Sequence, residues 1–204
     1  MSKAGARFLV LDGIDGCGKS TQAAALCERL RANGQRVLHV REPGTTLAGE
    51  RIRALLLDPE PHLAPATQAL LFAAARRQLL EECIAPALAA GTSVVCERFH
   101  PSTVAYQGAA LGLGEERVLA LLEAWAGTPA PDLMLILDLP QEVARERRGT
   151  NDRFEGLEPL FHERVAHSYR RYASGRAGVA GIDASGSVED VAARIWKAVT
   201  GGGR

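Results

Sequence analysis

The chain is 204 residues long and 47% hydrophobic, enough for one well-cored domain, and no linker, repeat or low-complexity stretch divides it. Basic and acidic residues balance at 24 each, which excludes the global positive field of a non-specific nucleic-acid binder. No apolar run reaches the ~18 residues of a membrane span, no signal-peptide core precedes the first strand, and the cysteines form no C-x-x-C pair, so a reduced cytoplasmic protein without membrane contact is expected.

Phe8-Leu9-Val10-Leu11 is continuously apolar, as a strand buried on both faces is, and runs into Gly13-Ile14-Asp15-Gly16-Cys17-Gly18-Lys19-Ser20. That octapeptide fits G-x-x-x-x-G-K-[ST], and a helix-like stretch over residues 19–33 follows it. Strand, glycine loop and helix in this order bind phosphate, because the loop folds into a nest of N–H donors and the helix adds the positive end of its dipole. Lys19 can reach the β- and γ-phosphates of a nucleotide, and the Ser20 hydroxyl can bind Mg²⁺. The candidate nucleotide-binding residues are therefore Gly13, Ile14, Asp15, Gly16, Cys17, Gly18, Lys19, Ser20 and the adjoining Thr21. Asp15 is out of place in a phosphate cradle, where a carboxylate repels anions unless it has a separate task.

A second strand is expected over residues 36–40, where His39 alternates with apolar neighbours and reads as structural. A short helix follows over residues 47–57, then a long one over residues 67–90 that is apolar almost all round and so buried on most sides, with Pro86 as a kink or last turn. Ser93-Val94-Val95-Cys96 is a third buried strand that runs into Glu97-Arg98, which puts a carboxylate and a guanidinium at a strand's C-terminal end, where open α/β sheets bind ligands. Helices are expected over residues 102–110 and 115–125, the latter with Val118, Leu119, Leu121, Leu122 and Trp125 facing the core. A fourth strand over residues 133–137, a helix over 141–148, a polar break at 149–152, a helix over 157–172, a fifth strand over 179–182 and a helix over 188–199 complete the pattern, with residues 201–204 as a frayed tail. Such alternation gives a parallel five-stranded sheet with helices on both faces, the three-layer α/β sandwich of P-loop proteins. Cys27, Cys83 and Cys96 read as core packing.

The phosphate loop, then Arg41-Glu42-Pro43-Gly44, the stretch from Phe72 to Arg76, Glu97-Arg98, Ser102-Thr103-Val104-Ala105-Tyr106-Gln107-Gly108 and Asp152-Arg153-Phe154-Glu155 together resemble the thymidylate kinase family, in order and over almost the whole chain. The resemblance implies transfer of a phosphoryl group from MgATP to thymidine monophosphate, in a homodimer. It implies catalytic roles for Lys19, Arg98, Glu97 and the lid arginines Arg147, Arg148 and Arg153, in a lid over about residues 147–156. The acceptor site it implies comprises Asp15, Pro43, Phe72, Arg76, Arg98, Ser102, Tyr106 and Gln107, with Ser20 and Glu97 on the metal side. Phe72 and Arg76, four apart on one helix, share a face and would offer a stacking surface and a donor to a pyrimidine edge, while Tyr106 would crowd a ribose 2′ position. Two departures stand out: Glu97 replaces the family's usual aspartate, and Thr45 stands where a glycine usually follows Gly44. A P-loop kinase of another nucleoside monophosphate or of a deoxynucleoside, and a regulatory NTPase without any acceptor, are the alternative readings.

Overall fold

The structure, a computed structural model, describes residues 5–60, 62–147 and 159–201. Its sheet has five parallel strands, β1 (Phe8–Gly13), β2 (Val37–Arg41), β3 (Ser93–Glu97), β4 (Leu133–Asp138) and β5 (Val179–Asp183), in the order β2-β3-β1-β4-β5. Helices α1 (Lys19–Ala32), α2 (Leu47–Leu57), α3 (Pro65–Leu79), α4 (Ala85–Ala89), α5 (His100–Thr103), α6 (Glu115–Ala126), α7 (Gln141–Glu146), α8 (Pro159–Ala173) and α9 (Val188–Gly201) connect and cover them. This is the expected α/β sandwich.

Every residue of β1 is buried, and the strand's alternation divides it between two cores. Leu9 and Leu11 join Leu26 and Leu30 of α1, Tyr169 of α8 and Ile195 of α9 on one face. Phe8 and Val10 join Leu79, Ile84 and Phe99 on the other. Full burial of a side chain such as Phe8 contributes about 1.5–3 kcal/mol. The strand order makes the crevice between β1 and β3 a switch point, since the chain leaves β1 toward β2 and leaves β3 toward β4. Ligands bind at such points beyond the carboxyl ends of the strands, and there the phosphate loop and Glu97-Arg98 face each other.

Several local expectations are corrected. The long helix is not buried on most sides: α3 buries Gln68, Ala69, Ala73, Ala75, Arg76 and Leu79, but Leu70 is 56% exposed. Its irregularity comes ahead of Pro86, as a π-helical turn at Leu80–Ile84 between α3 and α4. A proline cannot donate to the carbonyl four residues back, and the wider turn takes up that mismatch before the proline is reached. A second π-helical segment, Val104–Ala110, extends α5, so this element begins at His100 rather than at residue 102. Trp125 is 69% exposed instead of facing the core; Val118, Leu122 and Ala126 form the buried stripe of α6. Gly201 is the last residue of α9 and not part of a frayed tail.

Candidate active site

The phosphate loop leaves β1 at Gly13, paired in register with Leu137 of β4, and only a residue without a side chain fits there. A Cβ on Gly13 would lie 2.5 Å from the Leu137 carbonyl oxygen and 3.0 Å from Cys17 Sγ. Gly18, at φ 92°, caps α1 in the left-handed region that glycine alone adopts freely. Lys19 is buried, and its Nζ donates to the carbonyls of Gly13 and Ile14 at 3.0 and 2.8 Å and lies 3.7 Å from Asp15. The ammonium is thus held over the loop, tethered at the root of the cradle.

Ser20 Oγ donates to Glu97 Oε2 at 2.5 Å, and the other oxygen of Glu97 lies 2.9 Å from His39 Nε2. The longer acid at the end of β3 therefore does reach the loop serine. A hydroxyl and a carboxylate oxygen side by side suit Mg²⁺, which is commonly held by one or two protein oxygens together with substrate phosphates. Among the described residues no group of three or more His, Cys, Asp or Glu stands together as a possible metal cage.

Arg98 follows β3 at φ 67°, a left-handed conformation costing about 1–3 kcal/mol for a residue with a side chain. Its guanidinium pairs with Asp15 and donates to Ser102 Oγ at 3.1 Å, while Tyr106 donates to the other Asp15 oxygen at 2.7 Å. Behind them lies Asp12, fully buried at the end of β1. It accepts from the backbone N–H groups of Gly13, Phe99 and Ser102 at 2.8, 3.0 and 3.0 Å, and from Ser102 Oγ and Tyr169 OH at 2.7 and 2.9 Å. Burial first, and the Asp15 and Asp12 charges next, push the Tyr106 and Tyr169 phenols well above their ordinary range, so both stay neutral donors.

Two cavities open from this wall. The larger, about 630 Å³, runs along the loop from Asp15 to Gln22 past Glu97 and Arg147 to Gly186 and Val188 between β5 and α9. The smaller, about 180 Å³, is lined by Pro43, Leu57, Phe72, Ser102, Tyr106 and Gln107. Asp15, Arg53 and Arg98 line both. A larger, loop-lined space and a smaller partly apolar one thus meet at the guanidiniums of Arg53 and Arg98.

A sequence model of the family described as Thymidylate kinase matches residues 11–195. The chain belongs to the thymidylate kinase family. Relatives include the thymidylate kinases of Synechococcus sp. (strain JA-2-3B'a(2-13)), 44% identical over 94% of this chain and 93% of that one, and of Rhizorhabdus wittichii, 44% identical over 95% and 96%. That of Chromohalobacter salexigens is 46% identical over 93% of this chain and 92% of its own.

The loop residues from Asp15 to Thr21, with Glu97, Arg98 and Arg147, line the larger cavity, while Gly13 and Ile14 form its root. Pro43, Phe72, Ser102, Tyr106 and Gln107 line the smaller one with Asp15 and Arg98. Arg76 does not line it: it is 1% exposed, donating to Glu42 at 2.6 Å and to Thr103 at 3.1 Å, lies over the Phe99 ring, and leaves its Nη1 buried without a partner. Burial pushes the Glu42 carboxyl up to about 7 against the pull of Arg76. Arg148 and Arg153, with most of the expected lid, lie outside the described residues. Thr45 takes the glycine-like conformation, φ 70°, and is pinned by its N–H to Glu50 at 2.9 Å and by its hydroxyl to the backbone of Arg41 at 3.1 and 3.2 Å.

Sequence reasoning missed Asp12, Arg53, Tyr169 and the loop between β5 and α9. A charged residue closing an otherwise apolar buried strand was a usable signal for Asp12, since a buried carboxylate demands several donors. Arg53 looked like any exposed helix arginine, and nothing local marks it.

Proposed function

We propose that the chain transfers the γ-phosphoryl group of ATP to thymidine monophosphate, giving ADP and thymidine diphosphate. The observation that carries this reading is the shared wall: Asp15, Arg53 and Arg98 stand where the larger, loop-lined cavity meets the smaller one. The larger cavity suits ATP, its phosphates on the loop amides and Lys19. The smaller suits the acceptor, its phosphate toward Arg98 and Arg53 and its base beside Phe72.

A phosphate monoester with a second pKa near ~6 is already largely ionised at neutral pH, so the nucleophile needs no strong base. What the protein supplies is alignment and charge neutralisation between two polyanions that repel each other. Lys19 neutralises donor charge, and Arg98, fixed by Asp15 and Ser102, fixes the acceptor phosphate. Arg147, on the wall of the larger cavity, supports the lid-arginine assignment made for Arg147, Arg148 and Arg153. Ser20 and Glu97 would hold Mg²⁺, which supplies charge neutralisation on the donor phosphates. Asp15 then serves the acceptor side, orienting Arg98 and Tyr106, and Tyr106 bounds the sugar.

We assign Arg76 to the O4 acceptor of thymine on the family resemblance and its donor-only chemistry, which requires its buried guanidinium to turn from Glu42 toward the smaller cavity: cytosine's N4 amino group would leave both unpaired at about 1–3 kcal/mol. We assign the exposed apolar residues Leu55, Leu70 and Trp125 on α2, α3 and α6 to a homodimer contact. The cytoplasm is the proposed location, since the cysteines are free thiols. Comparing kcat/KM for thymidine, deoxyuridine and deoxycytidine monophosphates in wild type and Arg76→Ala tests the reading. Thymidine monophosphate is expected to be best in wild type and the ranking to flatten in the variant; a wild-type preference for deoxycytidine monophosphate contradicts it.

A further inference from the structure

His39 was expected to be structural, yet its ring reaches the carboxylate that faces the phosphate loop. The register explains how. His39 of β2 stands opposite Val95 of β3, and Arg41 opposite Glu97, so His39 and Glu97 are diagonal neighbours on the face of the sheet that α1 covers. One oxygen of Glu97 lies 2.9 Å from His39 Nε2 and the other 2.5 Å from Ser20 Oγ. The acid is 15% exposed and the imidazole 32%, so the contact sits at the lip of the cavity rather than in the core.

We infer that His39 is a positioning residue, holding the Glu97 carboxylate in the orientation that presents its second oxygen to Ser20 and the metal. The physical need arises from length. A glutamate has one more rotatable bond than an aspartate, and that freedom has to be overcome before the carboxylate can stand in a single place. An aspartate at the same strand end would fall about 1.5 Å short of the imidazole, beyond hydrogen-bond reach. Histidine and glutamate therefore work as a matched pair in this chain. Removing a group that orients a metal-side ligand in this manner typically costs about 10–100-fold in metal affinity.

The inference rests on the proposed metal-side role of Ser20 and Glu97, and the test separates the two. Mn²⁺ binding to the full-length protein in the presence of ADP is measured by electron paramagnetic resonance, with thermal unfolding of every variant as a check on the fold. His39→Leu is expected to weaken Mn²⁺ binding about 10-fold, and His39→Gln, which keeps an N–H at similar reach, to recover most of that loss. In a Glu97→Asp background the contact is already lost, so adding His39→Leu is expected to change nothing further. Equal losses from His39→Leu in both backgrounds, as a purely structural strand residue would give, or no loss in either, overturn the inference. If Glu97→Gln itself leaves Mn²⁺ binding unchanged, the metal-side reading of Glu97 falls, and the positioning role with it.

Discussion

Asp15 of the phosphate loop and Arg98 at the end of β3 are ion-paired in the wall that both cavities share. The pair resolves the oddity of an acid in a phosphate cradle. The carboxylate pairs with the Arg98 guanidinium, accepts from the Tyr106 hydroxyl and lies 3.7 Å from Lys19 Nζ, so its charge is matched by two cations within the loop wall. Arg98→Ala is expected to lower kcat/KM for thymidine monophosphate by about 10²–10³, the size of loss seen when one preorganised donor to a developing oxyanion is removed. KM for ATP should change little. Steady-state kinetics with each substrate varied in turn checks this.

Asp12 carries five donors on one buried carboxylate, one from the adjoining Gly13 and four from the backbone and side chains of distant segments. Asp12→Ala leaves those donors unsatisfied and is expected to cost about 3–5 kcal/mol of stability. Tyr169→Phe removes a single donor and is expected to cost about 1–2 kcal/mol. Urea denaturation of the two variants gives the comparison, and equal losses would mean that Asp12 is not the hub.

Thr45 occupies φ 70° although a β-branched residue resists it, and its hydroxyl is what anchors it to Arg41. Thr45→Val keeps the strain and removes the anchor, so it is expected to destabilise by about 2 kcal/mol. Thr45→Gly loses the same hydroxyl but relieves the strain, and is expected to stay within about 1 kcal/mol of wild type. Equilibrium unfolding that ranks valine above glycine would overturn this.

His100 is buried, stacked on Phe99 at 4.3 Å, with its Nε2 donating to the Ala126 carbonyl at 3.0 Å. Burial, then the nearby Arg76 charge, push its pKa from 6.5 down to about 3, against the pull of that hydrogen bond. The unfolded chain thus binds the proton and the folded one does not. Stability is unaffected by His100 above pH 6.5 and falls below it, by about 1.4 kcal/mol for each pH unit, until the pH reaches the folded value. His100→Gln should flatten the stability profile between pH 6.5 and 4, measured by urea denaturation, relative to wild type.

The sheet was legible because its strands are short apolar runs bounded by turn residues, and the nucleotide site because its loop motif needs glycines at fixed positions. The rest of the site depends on distance in the chain. Asp12 meets Ser102 and Tyr169 across 90 and 157 positions, and no local pattern in the sequence encodes such a meeting. His39 reads as one polar residue in an apolar strand until the register sets it beside Glu97. Trp125 fits the helical stripe of α6 by spacing alone, yet it stands exposed because the covering surface ends at Leu122 and Ala126. The π-helical turns were hidden because they change backbone spacing without changing composition.

Phosphoryl transfer to the acceptor is tested most directly by the release of ADP from MgATP with and without thymidine monophosphate, with the product identified chromatographically. ADP is expected to form only with the acceptor present, in step with thymidine diphosphate, and Lys19→Ala is expected to abolish both. ADP release that proceeds equally without the acceptor, or with no thymidine diphosphate formed, would contradict that transfer.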